Sequence, residues 1–170
     1  LVYEPNLVAN YIILGNLYNY AQRFAESEQM YKPALEICKR LAESNPQDYE
    51  PQLAMSYNNL GNLYCNTQRF SVSEQMYKSA LELYKRLAKS NPEAYEPDLA
   101  DSYDNLGFLY YKIQCLTESE QMYKSALEIR KRLTESNPQA YEPDLANNYY
   151  NLGLLYCKTQ RFTESEQMYK

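Results

Sequence analysis

The chain has 170 residues, a net charge of −5, no histidine and no tryptophan, but 20 tyrosines. Without histidine it lacks the commonest general base and the commonest transition-metal ligand, and its acidic balance argues against a nucleic-acid backbone as partner. No apolar run approaches the roughly 18–20 residues needed to span a bilayer, and no signal peptide is visible, although a chain that starts at Leu1 and stops inside a motif reads as a fragment. Cys38, Cys65, Cys115 and Cys157 form no CxxC spacing, so they are expected as free thiols in a reducing compartment, which favours a cytoplasmic setting.

Two pieces return every 46 residues. Leu-Gly-x-Leu-Tyr occurs at 14–18, 60–64, 106–110 and 152–156, and Ser-Glu-Gln-Met-Tyr-Lys at 27–32, 73–78, 119–124 and 165–170. Self-similarity at this period marks a repeat array in which each unit packs only on its neighbours. The expected units are 1–46, 47–92, 93–138 and 139–170, the last truncated in its second helix.

Taken in order, a unit opens with Tyr-Glu-Pro. Pro51, Pro97 and Pro143 suit the first turn of a helix, where a missing N–H costs nothing. After Pro51, Leu53, Tyr57, Leu60, Gly61 and Tyr64 fall on one helical face, which predicts a helix A from about Pro51 to Thr67. Gly15, Gly61, Gly107 and Gly153 are the chain's only glycines, and each sits mid-helix at a cost of about 1 kcal/mol. Close approach of another helix is the expected reason.

A turn at Thr67-Gln68-Arg69-Phe70 leads to helix B. Ser71–Glu74, Thr117–Glu120 and Thr163–Glu166 have the spacing of a capping box, which Ala25 in the first unit lacks. Ser73, Met76, Tyr77, Ala80, Tyr84 and Leu87 form its apolar stripe. Glu28→Lys32, Glu74→Lys78, Glu120→Lys124, Glu36→Arg40, Glu82→Arg86 and Glu128→Arg132 stand in i,i+4 order on a solvated outer face. Asn45-Pro46, Asn91-Pro92 and Asn137-Pro138 are expected to end helix B, with asparagine in the left-handed region. Pro33 replaces the Ser79 and Ser125 of other units and is expected to kink or break the first helix B, because its ring removes a bond to the Gln29 carbonyl. The final helix B stops after about two turns and is marginal unless docked.

A helix pair carrying Tyr57, Leu60, Gly61, Tyr64, Ser73, Tyr77 and Ala80, repeated as Tyr103, Leu106, Gly107, Tyr110, Ser119, Tyr123 and Ala126, resembles the tetratricopeptide repeat. The resemblance covers the whole chain. The long unit is similar to extended variants such as those of kinesin light chains, with a longer helix B and inter-repeat loop. The resemblance implies an all-α, right-handed superhelical solenoid of antiparallel helix pairs, with helices A lining a concave groove that binds peptide segments of other proteins.

Under that reading the groove is met by the side of helix A opposite its buried stripe. The positions are Ala9, Ile13, Asn16 and Tyr20; Met55, Asn59, Asn62 and Asn66; Asp101, Asn105, Phe108 and Lys112; and Asn147, Asn151, Leu154 and Lys158, with Asp104, Tyr111 and Tyr150 beside them. Asn16, Asn59, Asn62, Asn66, Asn105 and Asn151 carry donor and acceptor together, so they suit the N–H and C=O groups of an extended backbone. Phe108, Tyr111, Lys112 and Lys158 complete the candidate set. The bland alternative is that Asn59, Asn105 and Asn151 bond adjacent helices and hold the stack in register. A carboxylate-clamp subclass of the family grips its peptide with cations on helix A, but the matching places here hold Ile12, Asn16, Asn59, Asp101 and Asn105.

No phosphate loop, paired nucleophile and base, or metal-ligand spacing is present, so neither catalysis nor a cofactor or metal is expected. The expected role is a protein-interaction scaffold holding an extended peptide or a partner domain, with no nucleic acid and no membrane. The alternatives are a self-associating array stacked end to end, favoured by an uncapped apolar face at each end, or a regulatory segment of a longer multidomain protein.

Overall fold

A computed structural model describes residues 3–170, and all eight helices among them fall into consecutive antiparallel pairs with no strand. The chain divides into two compact units, one ending at Leu87 and one spanning Ala88–Lys170. The first contains α1 (Glu4–Tyr20), α2 (Phe24–Ser44), α3 (Pro46–Asn66) and most of α4 (Phe70–Ser90). The second contains α5 (Pro92–Lys112), α6 (Leu116–Ser136), α7 (Pro138–Lys158) and α8 (Phe162–Met168). Odd-numbered helices are helices A and even-numbered ones helices B.

The turn from A to B is a Schellman motif built without glycine. Gln22, Gln68, Gln114 and Gln160 all lie in the left-handed region, with φ of 58–66°. The N–H of the following residue reaches back to the tyrosine carbonyl five residues earlier, at 2.8 Å for Arg23–Tyr18, Arg69–Tyr64 and Arg161–Tyr156 and 2.9 Å for Cys115–Tyr110. The motif usually adds an apolar contact between these two residues. Here the guanidinium groups of Arg23, Arg69 and Arg161 lie 4.3–4.5 Å from the ring centroids of Tyr18, Tyr64 and Tyr156.

The passage from B to A differs from expectation. Helix A begins at Pro46, Pro92 and Pro138, five residues before the predicted start, so a single asparagine separates it from the preceding helix B. Asn45 and Asn137 are extended, with φ of −147° and −148°, and not left-handed. Each donates its N–H to a leucine carbonyl of the ending helix, and Asn91 and Asn137 also accept from the amides of Ala94 and Ala140 at the start of the next. One asparagine therefore caps two helices, with proline at the first helical position where its missing N–H is harmless. The Tyr-Glu-Pro triplets of the last three repeats lie inside the helices, while Tyr3 is the N-cap of α1, and among the described residues the expected inter-repeat loop is absent.

Packing within each pair explains both recurring motifs. The buried serines Ser27, Ser73, Ser119 and Ser165 donate to the carbonyls of Gly15, Gly61, Gly107 and Gly153, each at 2.8 Å. The ring of the tyrosine four residues after the serine packs against that glycine. A Cβ on Gly61 would sit 2.5 Å from Tyr77 Cδ1, and one on Gly15 2.4 Å from Tyr31 Cε1. The close approach is thus made by a tyrosine ring. Against α6 in the second unit, Leu152 and Leu155 of α7 pack on Tyr123 and Leu127, with Met168 at the end of α8 closing the cluster. The short α8 is docked by this contact and by Ser165.

Three expectations about helix B are corrected. α2 runs unbroken from Phe24 to Ser44 with Pro33 inside it. The capping boxes do not form, because the N-cap positions of α2, α6 and α8 are Arg23, Cys115 and Arg161, and Thr117 and Thr163 already lie within the first turn. Of the charge pairs, Glu28–Lys32, Glu74–Lys78 and Glu120–Lys124 form as expected, at 2.7–2.8 Å. Arg40, Arg86 and Arg132 instead reach across to Glu4, Glu50 and Glu96 of the paired helix A. Glu28 and Glu120 also bridge repeats. Glu28 accepts from Tyr64 Oη and Arg69, and Glu120 accepts from Tyr156 Oη and Arg161. Burial and the Glu28 carboxylate push the Tyr64 hydroxyl up to about 12, so it remains a donor.

Candidate functional site

The positions of helix A opposite its buried stripe differ between repeats. In the first unit, Asn16 and Asn62 accept hydrogen bonds from the hydroxyls of Tyr31 and Tyr77, the second at 2.6 Å, so each Oδ1 is engaged in holding the tyrosine on its glycine. Their amide nitrogens are left for other contacts. Asn59 is half-buried and Asn66 exposed on the same helix.

The second unit replaces those asparagines with Phe108 and Leu154. A notch of about 50 Å³ opens there, lined by Phe108, Tyr111, Tyr123, Asn151 and Leu154. Two lysines rim it. Lys112 Nζ lies 5.1 Å from the Phe108 ring centroid, and Lys158 Nζ lies 4.2 Å from that of Tyr111. Each ammonium rests on a π face while staying in water. Asn105 is half-buried one turn before Phe108. Five predicted residues, Phe108, Tyr111, Lys112, Asn151 and Lys158, are brought together in this way.

Beside the notch lies a group that sequence reasoning did not assemble. Arg130 of α6 is 6% exposed and reaches Asp101 Oδ1 and Asp104 Oδ2 on α5, both at 2.7 Å, and the Asp144 carbonyl on α7 at 2.6 Å. Asn148 of α7 is fully buried and donates to Asp104 Oδ1 at 2.6 Å. Asn148 thus bonds one helix A to the next. Burial pushes the Asp104 carboxyl up to about 6, against the opposing pull of Arg130 and Asn148. A signal was available. Arg130 stands where earlier repeats have Cys38 and Tyr84, and Asp104 where they have Ile12 and Asn58, so a cation and an anion enter the same repeat together.

Cys38 and Cys65 are buried, Cys115 is half-buried, Cys157 is exposed, and all four are free thiols. Among the described residues no group of three His, Cys, Asp or Glu side chains has the geometry to hold a metal ion, and no helix is long and apolar enough to cross a membrane.

A tetratricopeptide-repeat family model matches residues 7–86, 52–132 and 98–170. Among solved structures, BtubC (BKLC) from P. vanneervenii superposes with a TM-score of 0.81 and 28% identity, over 97% of this chain and 61% of that one. The apo form of RapI gives 0.77 at 16% identity, over 96% and 53% of the two chains. The Rap conjugation gene regulator of plasmid pLS20, solved with the Phr* peptide, gives 0.69 at 17% identity, over 99% and 43%. The chain therefore spans less than two thirds of each of these structures, and the two Rap likenesses speak for the fold alone. No curated protein matches the sequence. The matched residues are those that carry the glycine–tyrosine packing, and the chain belongs to the tetratricopeptide repeat family.

Proposed function

We propose that this array, a protein-interaction scaffold in its general class, binds an extended peptide along the A-helix face of its second unit. The observation that carries this reading is the rimmed notch. Phe108, Tyr111, Asn151 and Leu154 leave room for one apolar side chain, and the half-buried amides of Asn105 and Asn151 stand beside it to meet the peptide backbone. That the Rap regulator of pLS20 was solved with a peptide agrees with this use of the fold. In the first unit, Asn16 and Asn62 serve the tyrosine lock, while Asn59 and Asn66 keep the ligand role.

Panning a displayed random-peptide library against the protein tests the reading. Peptides sharing an apolar anchor are expected. Asn105→Ala combined with Asn151→Ala should weaken them about tenfold or more, since each lost hydrogen bond is worth about 1 kcal/mol, while helicity is retained. Unchanged binding by the double variant, or loss of the fold with it, refutes the site.

A further inference from the structure

We infer that the side chain seated in the notch of the second unit is a carboxamide on a short methylene stem, as in glutamine, whose oxygen accepts from the Tyr123 hydroxyl. The inference rests on the peptide reading above and deepens it: the anchor is apolar along its stem and polar only at its tip.

The first unit shows the same arrangement completed within the chain. Tyr77 packs on Gly61 and donates its hydroxyl to Asn62 Oδ1 at 2.6 Å, and Tyr31 packs on Gly15 and donates to Asn16 Oδ1. The third repeat seats its tyrosine in the same way. Ser119 donates to the Gly107 carbonyl at 2.8 Å, and a Cβ on Gly107 would lie 2.8 Å from Tyr123 Cδ1 and Cε1. The residue after the glycine is now Phe108, whose side chain has no acceptor to offer.

Tyr123 is 2% exposed, lines the notch, and has no hydrogen-bond partner for its hydroxyl among the described residues. Asp104, whose charge is felt at this hydroxyl, is already committed to Asn148 through Oδ1 and to Arg130 through Oδ2. Burial, with the Asp104 carboxylate and Tyr111 adding to it, raises the Tyr123 hydroxyl, so it stays protonated and stands as a donor. A wholly aliphatic anchor would seal this donor from water without an acceptor, at the full cost of its desolvation. A carboxylate would accept, but it would bring a second anion into the field of Asp104 at a buried place. A carboxamide accepts without adding charge, which is what Asn16 and Asn62 do for their own tyrosines.

The walls suit such a side chain. Phe108 and Leu154 present apolar surface to a methylene stem, and Asn151, which lines the same space, has an acceptor to offer the amide NH2. The free volume of about 50 Å³ admits one short side chain. Asn62 reaches its tyrosine from helix A itself, whereas a peptide backbone lies outside the notch and needs the longer stem of glutamine. Lys112 and Lys158 rest on the rings of Phe108 and Tyr111 at the rim, which leaves the Tyr123 hydroxyl as the donor at the floor.

The test is a ¹⁵N NMR titration of the whole chain with acetylated pentapeptide amides that carry glutamine, its aliphatic isostere homoleucine, or glutamate between pairs of alanines. Saturable shifts are expected in the backbone amides of Phe108 and Leu154 and the side-chain amide of Asn151. The glutamine peptide should bind about fivefold or more tightly than either alternative, as one hydrogen bond to an otherwise unpaired buried donor requires. Tyr123→Phe removes the hydroxyl without breaking a hydrogen bond of the folded chain, so helicity should persist while the preference over homoleucine is lost. Phe108→Asn, at an exposed position, restores the acceptor that Asn62 supplies and should weaken the glutamine peptide about tenfold. Absence of saturable shifts, homoleucine or glutamate binding as tightly as glutamine, a preference that survives Tyr123→Phe, or undiminished binding by Phe108→Asn overturns the inference. The peptide selection separates the two readings. Selected peptides that share a wholly aliphatic anchor overturn this inference and leave the groove standing. An empty selection beside glutamine shifts that depend on the Tyr123 hydroxyl removes the extended-peptide reading alone.

Discussion

Gly61→Ala places two physical effects in direct opposition. Helix propensity alone makes it stabilising by about 1 kcal/mol, because glycine is the costlier residue in a helix interior. The packing says otherwise. The new Cβ would lie 2.5 Å from both Cδ1 and Cε1 of Tyr77 and 3.1 Å from its Cγ. Ordinary contact needs about 1 Å more. Tyr77 cannot swing away, being 1% exposed with its hydroxyl held 2.6 Å from Asn62 Oδ1. Overpacking of a well-filled core costs about 1–3 kcal/mol, and this clash belongs at the upper end. The net expectation is a loss of about 2 kcal/mol, or about 4–8 °C in Tm for a chain of this size. Urea unfolding followed by circular dichroism measures it. Adding Tyr77→Leu, which removes the clashing ring edge, should recover part of the loss, giving a coupling of about 1–2 kcal/mol in a double-mutant cycle. Gly107→Ala should cost less, since its Cβ would stand 2.8 Å from Tyr123. If Gly61→Ala is neutral or stabilising, the tyrosine lock is not what keeps the glycine.

Two further predictions concern polar features. Asp104 titrates near 6 in the folded chain against an ordinary 3.8, so between those values the folded state binds the extra proton and stability falls as pH rises. Asp104→Asn should therefore stabilise the protein at pH 7.5 by on the order of 1–2 kcal/mol, with the advantage falling to about a third of that by pH 4.5; urea unfolding at both pH values checks this, and an equal difference at each refutes it. At the turn, Gln114 has φ of 66°. Gln114→Gly should raise stability by up to about 1 kcal/mol by relieving left-handed strain, and Gln114→Val should lower it by a similar amount. Thermal unfolding of the two variants distinguishes them, and indifference to both would show that the Schellman bonds carry no strain.

The sequence showed the repeat, the pairing of helices and the buried stripes, because these follow from a period and an apolar pattern. Leu60, Gly61, Tyr64, Ser73 and Tyr77 all lie where the spacing puts them. Boundaries were less legible, and for physical reasons. Proline in Asn-Pro was read as a stop, yet the same residue is a good start, and only the three-dimensional path shows that Asn45 ends one helix while Pro46 begins the next. The capping-box spacing was present at Thr117–Glu120, but Glu120 is drawn away by Arg161 and Tyr156 of the next repeat, partners 41 and 36 residues distant. Pro33 illustrates the same limit, since a helix packed along its length tolerates one lost backbone bond. Of the site, the individual positions were visible, but their grouping was not. That Phe108 and Leu154 open a notch where Asn16 and Asn62 close on tyrosines depends on which side chains face each other.

That substitution explains how one repeat serves two purposes. Where the position after Leu-Gly is asparagine, the helix B tyrosine finds an acceptor and the A-helix surface closes over it, as at Tyr31 and Tyr77. Where it is phenylalanine or leucine, the tyrosine loses that partner, and its ring becomes the floor of an opening, as Tyr123 does. The same third repeat carries Arg130, Asp101 and Asp104, so its inter-helix contact relies on a charged network with Asn148 where earlier repeats use small or apolar groups such as Cys38 and Ile12. A buried charged network of this kind contributes little net stability compared with apolar packing. The lock needs only Ser119, Gly107 and Tyr123, which the third repeat shares with the others, and this leaves the A-helix face free to differ.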